Sequence, residues 1–241
     1  MLKRLLIFLV VLTGLAALAD IGLAVVAGNA TADQVRVHEG LREDPDVSFK
    51  GFPFVTQAVA GEFRRVEVTV RDLERGGVTI DRIDATLEGV EVNLSEALKG
   101  RVSAVPVREG TATMRLTYGD LQTYLSRKPG NIRIAVRGGR PVVVSSFGIP
   151  GAGSVDVEGT PTVRVTSNSI RVSVSAVRAV IGDVTLTSAL ASAAAARASF
   201  TIPLEGLPFG IEVKSAELTD DALEVTATAA GLVIEVGGNV R

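Results

Sequence analysis

The stretch "GFPFVTQAVAGEFRRVEVTVRDL", Gly51 to Leu73, changes character midway. It begins as an apolar corner in which Phe52 and Phe54 flank Pro53, and then sets Val66, Val68 and Val70 alternately with Glu67, Thr69 and Arg71. A period of two puts the valines on one face and the polar side chains on the other, which describes a strand with one dry and one wet face. A shorter echo, "GLPFGIEV" at Gly206 to Val213, precedes another strand-like run and suggests related halves.

The same period runs through much of the remaining chain. In "IDATLEGVEVNL", Ile83, Ala85 and Leu87 share one parity while Val90, Val92 and Leu94 take the other. The phase change at Glu88-Gly89 predicts a β-bulge. Hairpins are predicted on Gly138-Gly139 in "IRIAVRGGRPVVV", on Ser167-Asn168 in "TVRVTSNSIRVSV", and on Asp220-Asp221 near the C-terminal end. Helices are predicted for Leu94 to Gly100 with Ser95 as N-cap, for the stripe Tyr118, Leu121, Tyr124 and Leu125, and for the alanine-rich Thr185 to Phe200. Long one-sided strands with a few covering helices give an α+β, β-dominated fold with a strongly bent antiparallel sheet.

The N-terminus has a different design. Lys3 and Arg4 precede the uncharged run "LLIFLVVLTGLAALA", Leu5 to Ala19, which ends in a small-residue site before Asp20. That is the layout of a secretory signal. Apolar character resumes after Asp20, so an uncleaved anchor reaching to about Ala27, with one carboxylate inside it, is the competing reading. Both export the body of the chain. The expected organisation is a signal peptide or anchor over residues 1–19 and one domain over residues 20–241. Ile21 to Arg42 reads as helical, stopped by Asp44-Pro45-Asp46.

The 241 residues suffice for one large β-rich domain. Hydrophobic residues make up 46%, yet there are only 8 Phe, 2 Tyr and no Trp. A net charge of −2 with interspersed signs gives no footprint for nucleic acid. The lack of cysteine excludes disulfides, thiolate metal sites and a Cys nucleophile, and a single histidine argues against His-based zinc or acid–base chemistry. Asp44 and Asp46 lack the later oxygen ligands of a calcium loop. The glycine-rich Gly148 to Gly159 lacks the Lys-Ser/Thr ending of a phosphate loop, and no serine sits in a Gly-x-Ser-x-Gly elbow. No cofactor and no catalytic centre are expected.

The corner with its strand, the "LTYGDLQTYL" helix and the closing "IPLEGLPFGIEVKSAELTDDALEVTATAAG" resemble, in that order, an actinobacterial family of exported proteins typified by the mycobacterial lipomannan elongation factor. The resemblance spans about Leu5 to Gly231, with Arg133 to Ala198 similar only in general character. It implies a tubular lipid-binding fold, in which a long curved sheet wraps around a helix and encloses an elongated apolar cavity. It also implies a phospholipid ligand of the phosphatidylinositol type in the cell envelope. Under that reading Phe52, Phe54, Val55, Phe63, Val66 and Val68 line an apolar groove at the first corner, and Leu207, Phe209, Ile211 and Val213 match them at the second. Tyr118, Tyr124 and Leu125 are further lining candidates, and Arg64 and Arg65 are placed to meet an anionic headgroup. The expected partners are phospholipid, the membrane and envelope glycosyltransferases. Two alternatives stand beside the carrier: an adaptor whose apolar corners bind a membrane enzyme, and an enzyme acting on a lipid-linked glycan.

Overall fold

The computed structural model describes residues 2–75, 77–99, 101–128, 131–149, 153–166, 169–179, 187–203 and 212–235. The chain runs α1 (Leu2–Glu39), β1 (Asp46–Lys50), α2 (Phe54–Ala60), β2 (Glu62–Arg75), β3 (Val78–Glu91), α3 (Leu94–Leu98) and β4 (Ala104–Thr117). It continues through α4 (Tyr118–Leu125), β5 (Arg133–Arg137), β6 (Arg140–Ile149), β7 (Gly153–Thr166), β8 (Ser169–Ala179) and α5 (Ser188–Ala198). The last strands are β9 (Phe200–Pro203), β10 (Glu212–Leu218) and β11 (Ala222–Glu235). The class is α+β and β-dominated as expected, with the strands divided between two antiparallel sheets. One has the order β1-β2-β3-β4-β11-β10; the other is the meander β5-β6-β7-β8-β9.

Two compact units emerge, the first comprising Met1–Arg71, Asp84–Ala112 and Ala229–Arg241, the second Asp72–Ile83 and Thr113–Thr228. Strands β2, β3, β4 and β11 contribute residues to both.

In the first unit, α1 passes through Asp20 without a break, so the leader or anchor segment and the helix read from Ile21 onward form one helix. It packs on β1, so closely at Gly28 that a Cβ there would lie 2.3 Å from the Val47 carbonyl oxygen. The alternation in β2 holds: Val66 is buried and Val68 packs beside it, while Glu67 turns out to pair with Lys50 at 3.2 Å. Gly89 adopts φ +62°, the left-handed backbone expected of the bulge position, and β3 continues to Glu91. The N-cap of α3 is Asn93, not Ser95: its Oδ1 accepts from the Ser95 and Glu96 N–H groups at 3.0 and 3.3 Å. Asn93 sits in the extended backbone that precedes a first turn, and Ser95 is already inside that turn.

In the second unit, β5 and β6 turn on Gly138-Gly139, both with positive φ (+59° and +73°), as the two-residue hairpin requires. Ser167-Asn168 lies outside the described residues, but Thr166 and Ser169 on either side are paired. Thr117 caps α4, its Oγ1 accepting from the Asp120 N–H at 3.2 Å while Asp120 accepts in return from the Thr117 N–H at 3.3 Å. The predicted stripe faces inward: Leu121, Tyr124 and Leu125 are buried with Val143, Ile170, Val172, Leu223 and Val225. Small side chains at Ala194 and Ala198 let α5 sit close to β8 and β6.

Candidate functional site

The first corner does not lead directly into its strand. A seven-residue helix, α2, stands between Pro53 and β2, preceded by a cis Phe52–Pro53 peptide. The first N–H groups of a helix have no partner within it, and a proline N-cap has no side-chain oxygen to offer. Asp20 of α1 supplies what is missing. Its Oδ2 accepts from the Phe54 N–H at 2.7 Å and its Oδ1 from the Val55 N–H at 2.8 Å. A carboxylate is the favoured group at the positive end of a helix, and this one is only 7% exposed. Nothing local in the sequence pairs Asp20 with a corner 34 positions later.

A second buried polar side chain fastens the corner to the strand. Gln57 donates through Nε2 to the Gly51 carbonyl at 3.0 Å, and its Oε1 accepts from the Arg64 N–H at 2.9 Å. Beneath lie three phenylalanine rings: Phe49 has its centroid 5.6 Å from Phe54 and 4.8 Å from Phe63, and Phe54 and Phe63 are 5.7 Å apart. Phe54, Phe63 and Val66 are therefore core residues, and Val68 is half-buried against them. The apolar surface of the corner is elsewhere: Phe52 is 61%, Val55 41% and Val59 73% exposed. Sequence reasoning singled out the first two and missed Val59, because it missed α2.

Two depressions of about 410 Å³ adjoin the far end of α2 and are open to solvent. Val59, Ala60, Gly61, Asn93, Leu94 and Ser95 line one; the other shares Ala60, Gly61 and Asn93 and extends to Pro106. Arg64 and Arg65 point outward, and the Arg65 guanidinium meets Glu88 at 3.0 Å.

In the second unit the two tyrosines give their phenol donors to the main chain. Tyr118 donates to the Thr219 carbonyl and Tyr124 to the Thr201 carbonyl, the latter at 3.1 Å. Burial, reinforced by the negative charges of Asp221 and Asp220, pushes the Tyr118 phenol up to about 12. Arg115 donates to Asp81 at 3.0 Å and also to Asp221, and these bonds hold its proton even more firmly than usual. Leu125 is fully buried and Val213 is half-buried against the same core. Leu207, Phe209 and Ile211 lie outside the described residues, so the second corner enters only by its strand. Among the described residues no three His, Asp or Glu side chains converge as a metal site.

The remaining feature is α1 itself. Over Val10–Val37 it is apolar and long enough to cross a bilayer, and only 6% of its most apolar stretch is buried. No curated protein and no solved structure matches the chain. The profile described as LmeA-like phospholipid-binding matches residues 18–228, from the last turn before Asp20 through the first half of β11. On that match, extending over both units, the chain belongs to the LmeA-like phospholipid-binding family.

Proposed function

We propose that the protein is an exported, non-enzymatic phospholipid carrier of the cell envelope, taking a phosphatidylinositol-type lipid and serving lipid or lipoglycan assembly. The family match over residues 18–228 carries this reading. In it, residues 20–241 work as one domain, and the apolar segment before them is a leader or an anchor. An acyl chain gains about 0.8 kcal/mol for each buried CH₂, so apolar surface alone suffices to hold one. Phe52 and Val55 offer such surface on the first unit, where Val68 is half-buried; Tyr118 and Val213 are partly open on the second. Phe54, Phe63 and Val66 lie in the core behind that surface in the first unit and Tyr124 and Leu125 in the core of the second, and Leu207, Phe209 and Ile211 are the further groove candidates of this reading. Arg64 is the headgroup contact, joined by Arg65 when it leaves Glu88.

Protein isolated from its own envelope without detergent is expected to show bound phospholipid by native mass spectrometry and on solvent extraction. Phe52→Asp lowers that yield with an unchanged melting temperature, because the ring has no core role. Folded, lipid-free protein overturns the carrier. The exposed Phe52 and Val59 also suit the surface of a membrane enzyme such as an envelope glycosyltransferase. Empty protein that copurifies with such an enzyme favours that adaptor reading.

A further inference from the structure

The bonds from Asp20 tie α2 to one point on α1, and helix geometry says where that point stands. Residues 5–19 rise only about 22 Å at roughly 1.5 Å per residue, whereas bilayer hydrocarbon is about 30 Å thick. The missing ~8 Å is five or six further residues, which carries the hydrocarbon edge to about residue 24 or 25. The outward side chains there suit it: Ile21, Leu23 and Val25 are 57, 50 and 57% exposed. An ionised carboxylate open to lipid at this depth is costly. Asp20 is not open, because both oxygens accept N–H groups of α2 and the residue is buried.

The element on the other side of that tie is unusual for a wet surface. The sequence of α2, FVTQAVA, contains no charged residue. Phe54 and Gln57 make its buried face, yet Val55 and Val59, one turn apart, face away from the core next to exposed Phe52. A helix that is apolar on the side away from its own core has some other apolar phase to meet. Short apolar elements of this kind lie between headgroups and acyl chains.

We infer that the corner is a shallow membrane-insertion element. With α1 crossing the bilayer, Phe52, Val55 and Val59 are seated at the headgroup–acyl boundary, and Asp20 is the positioning residue that holds them there. The inference rests on α1 being a retained anchor, which the same experiment reports separately.

The chain has no cysteine, so single-site labelling needs no background removal. Full-length Leu12→Cys, Val55→Cys, Val59→Cys and Glu109→Cys proteins, each carrying an environment-sensitive fluorophore, are reconstituted into phosphatidylcholine–phosphatidylglycerol vesicles with nitroxide lipids. The expected result is deep quenching at position 12. Positions 55 and 59 show a blue shift and lose about half their emission to shallow nitroxides, and position 109 stays aqueous. Labels at 55 and 59 that behave like the one at 109, with position 12 quenched, overturn the inference and leave the anchor standing. An unquenched position 12 overturns both. Adding Asp20→Ala is expected to release positions 55 and 59 to water while position 12 stays quenched; unchanged quenching at 55 and 59 overturns the role of Asp20.

Discussion

The two units bury their sheets with different materials. The first has a small core of phenylalanine and valine fastened by two buried polar side chains, Asp20 and Gln57, and leaves Phe52, Val55 and Val59 uncovered. The second closes an aliphatic interior in which Leu121, Leu125, Val143, Val172 and Leu223 have no exposed surface, and both phenols are tied to main-chain carbonyls. Aliphatic burial is non-directional and closes wherever volume is filled. Hydrogen-bonded fasteners instead hold one geometry, and so can support an apolar edge that packs against nothing within the unit. The contrast assigns the closed interior to the second unit and outward apolar contact to the first.

Truncating the aliphatic interior is the harshest way to break that contrast. Leu121→Ala is expected to cost about 3 kcal/mol in urea unfolding, from lost transfer energy plus the cavity left behind. Amide exchange should accelerate in β5–β8 before β1; equal acceleration in both would mean that the units open together. Removing a fastener comes next. Asp20→Ala strips two charge-assisted bonds, one from a buried and one from a half-buried N–H, an expected loss of about 2 kcal/mol, with protection falling first at Phe54 and Val55. Asp20→Asn keeps an acceptor and should recover part of it.

Alkaline titration probes the second unit more gently. Burial pushes the folded Tyr118 phenol up to about 12 from its ordinary value near 10, so the native state is expected to hold the proton longer than the unfolded chain. The stabilisation is complete below pH 10 and disappears as pH rises towards 12; discounted for the partly open ring, it amounts to about 1 kcal/mol. Absorbance of the ionised phenol should show the late step, Tyr118→Phe should remove it, and Asp221→Asn should bring it earlier. The smallest effect belongs to the surface of the first unit. Glu88→Gln is expected to cost less than about 0.5 kcal/mol, because the pair with Arg65 is solvent-exposed. If Arg65 serves the headgroup, the same change should strengthen binding to anionic vesicles.

Period and turn chemistry were legible wherever the cause was local. Gly138-Gly139 needs positive φ, the apolar stripe of α4 recurs at helical spacing, and the valines of β2 alternate, so each was read in a short window; the reciprocal cap of Thr117 and Asp120, though equally local, was not. The corner was legible as an apolar break but not as a helix, since seven residues hold no full period and α2 depends on a cap from another element. Asp20 looked like a blemish in an apolar run for the same reason. The depressions beside α2 and α3 were equally hidden, because they join residues some thirty positions apart that only folding brings together.

Strand β11 sits between β4 and β10 in the six-stranded sheet. Across that seam Arg115 finds Asp221, 106 positions later, and Tyr118 finds Thr219, 101 positions later. Closing so large a loop is entropically slow, and no earlier strand can stand in for the missing one. Whichever machine delivers the chain, ribosome or translocase, β4 must wait with an unpaired edge until β11, the last strand, has arrived. Protection of that waiting edge from stray pairing is therefore a demand on the cell that the finished molecule no longer displays.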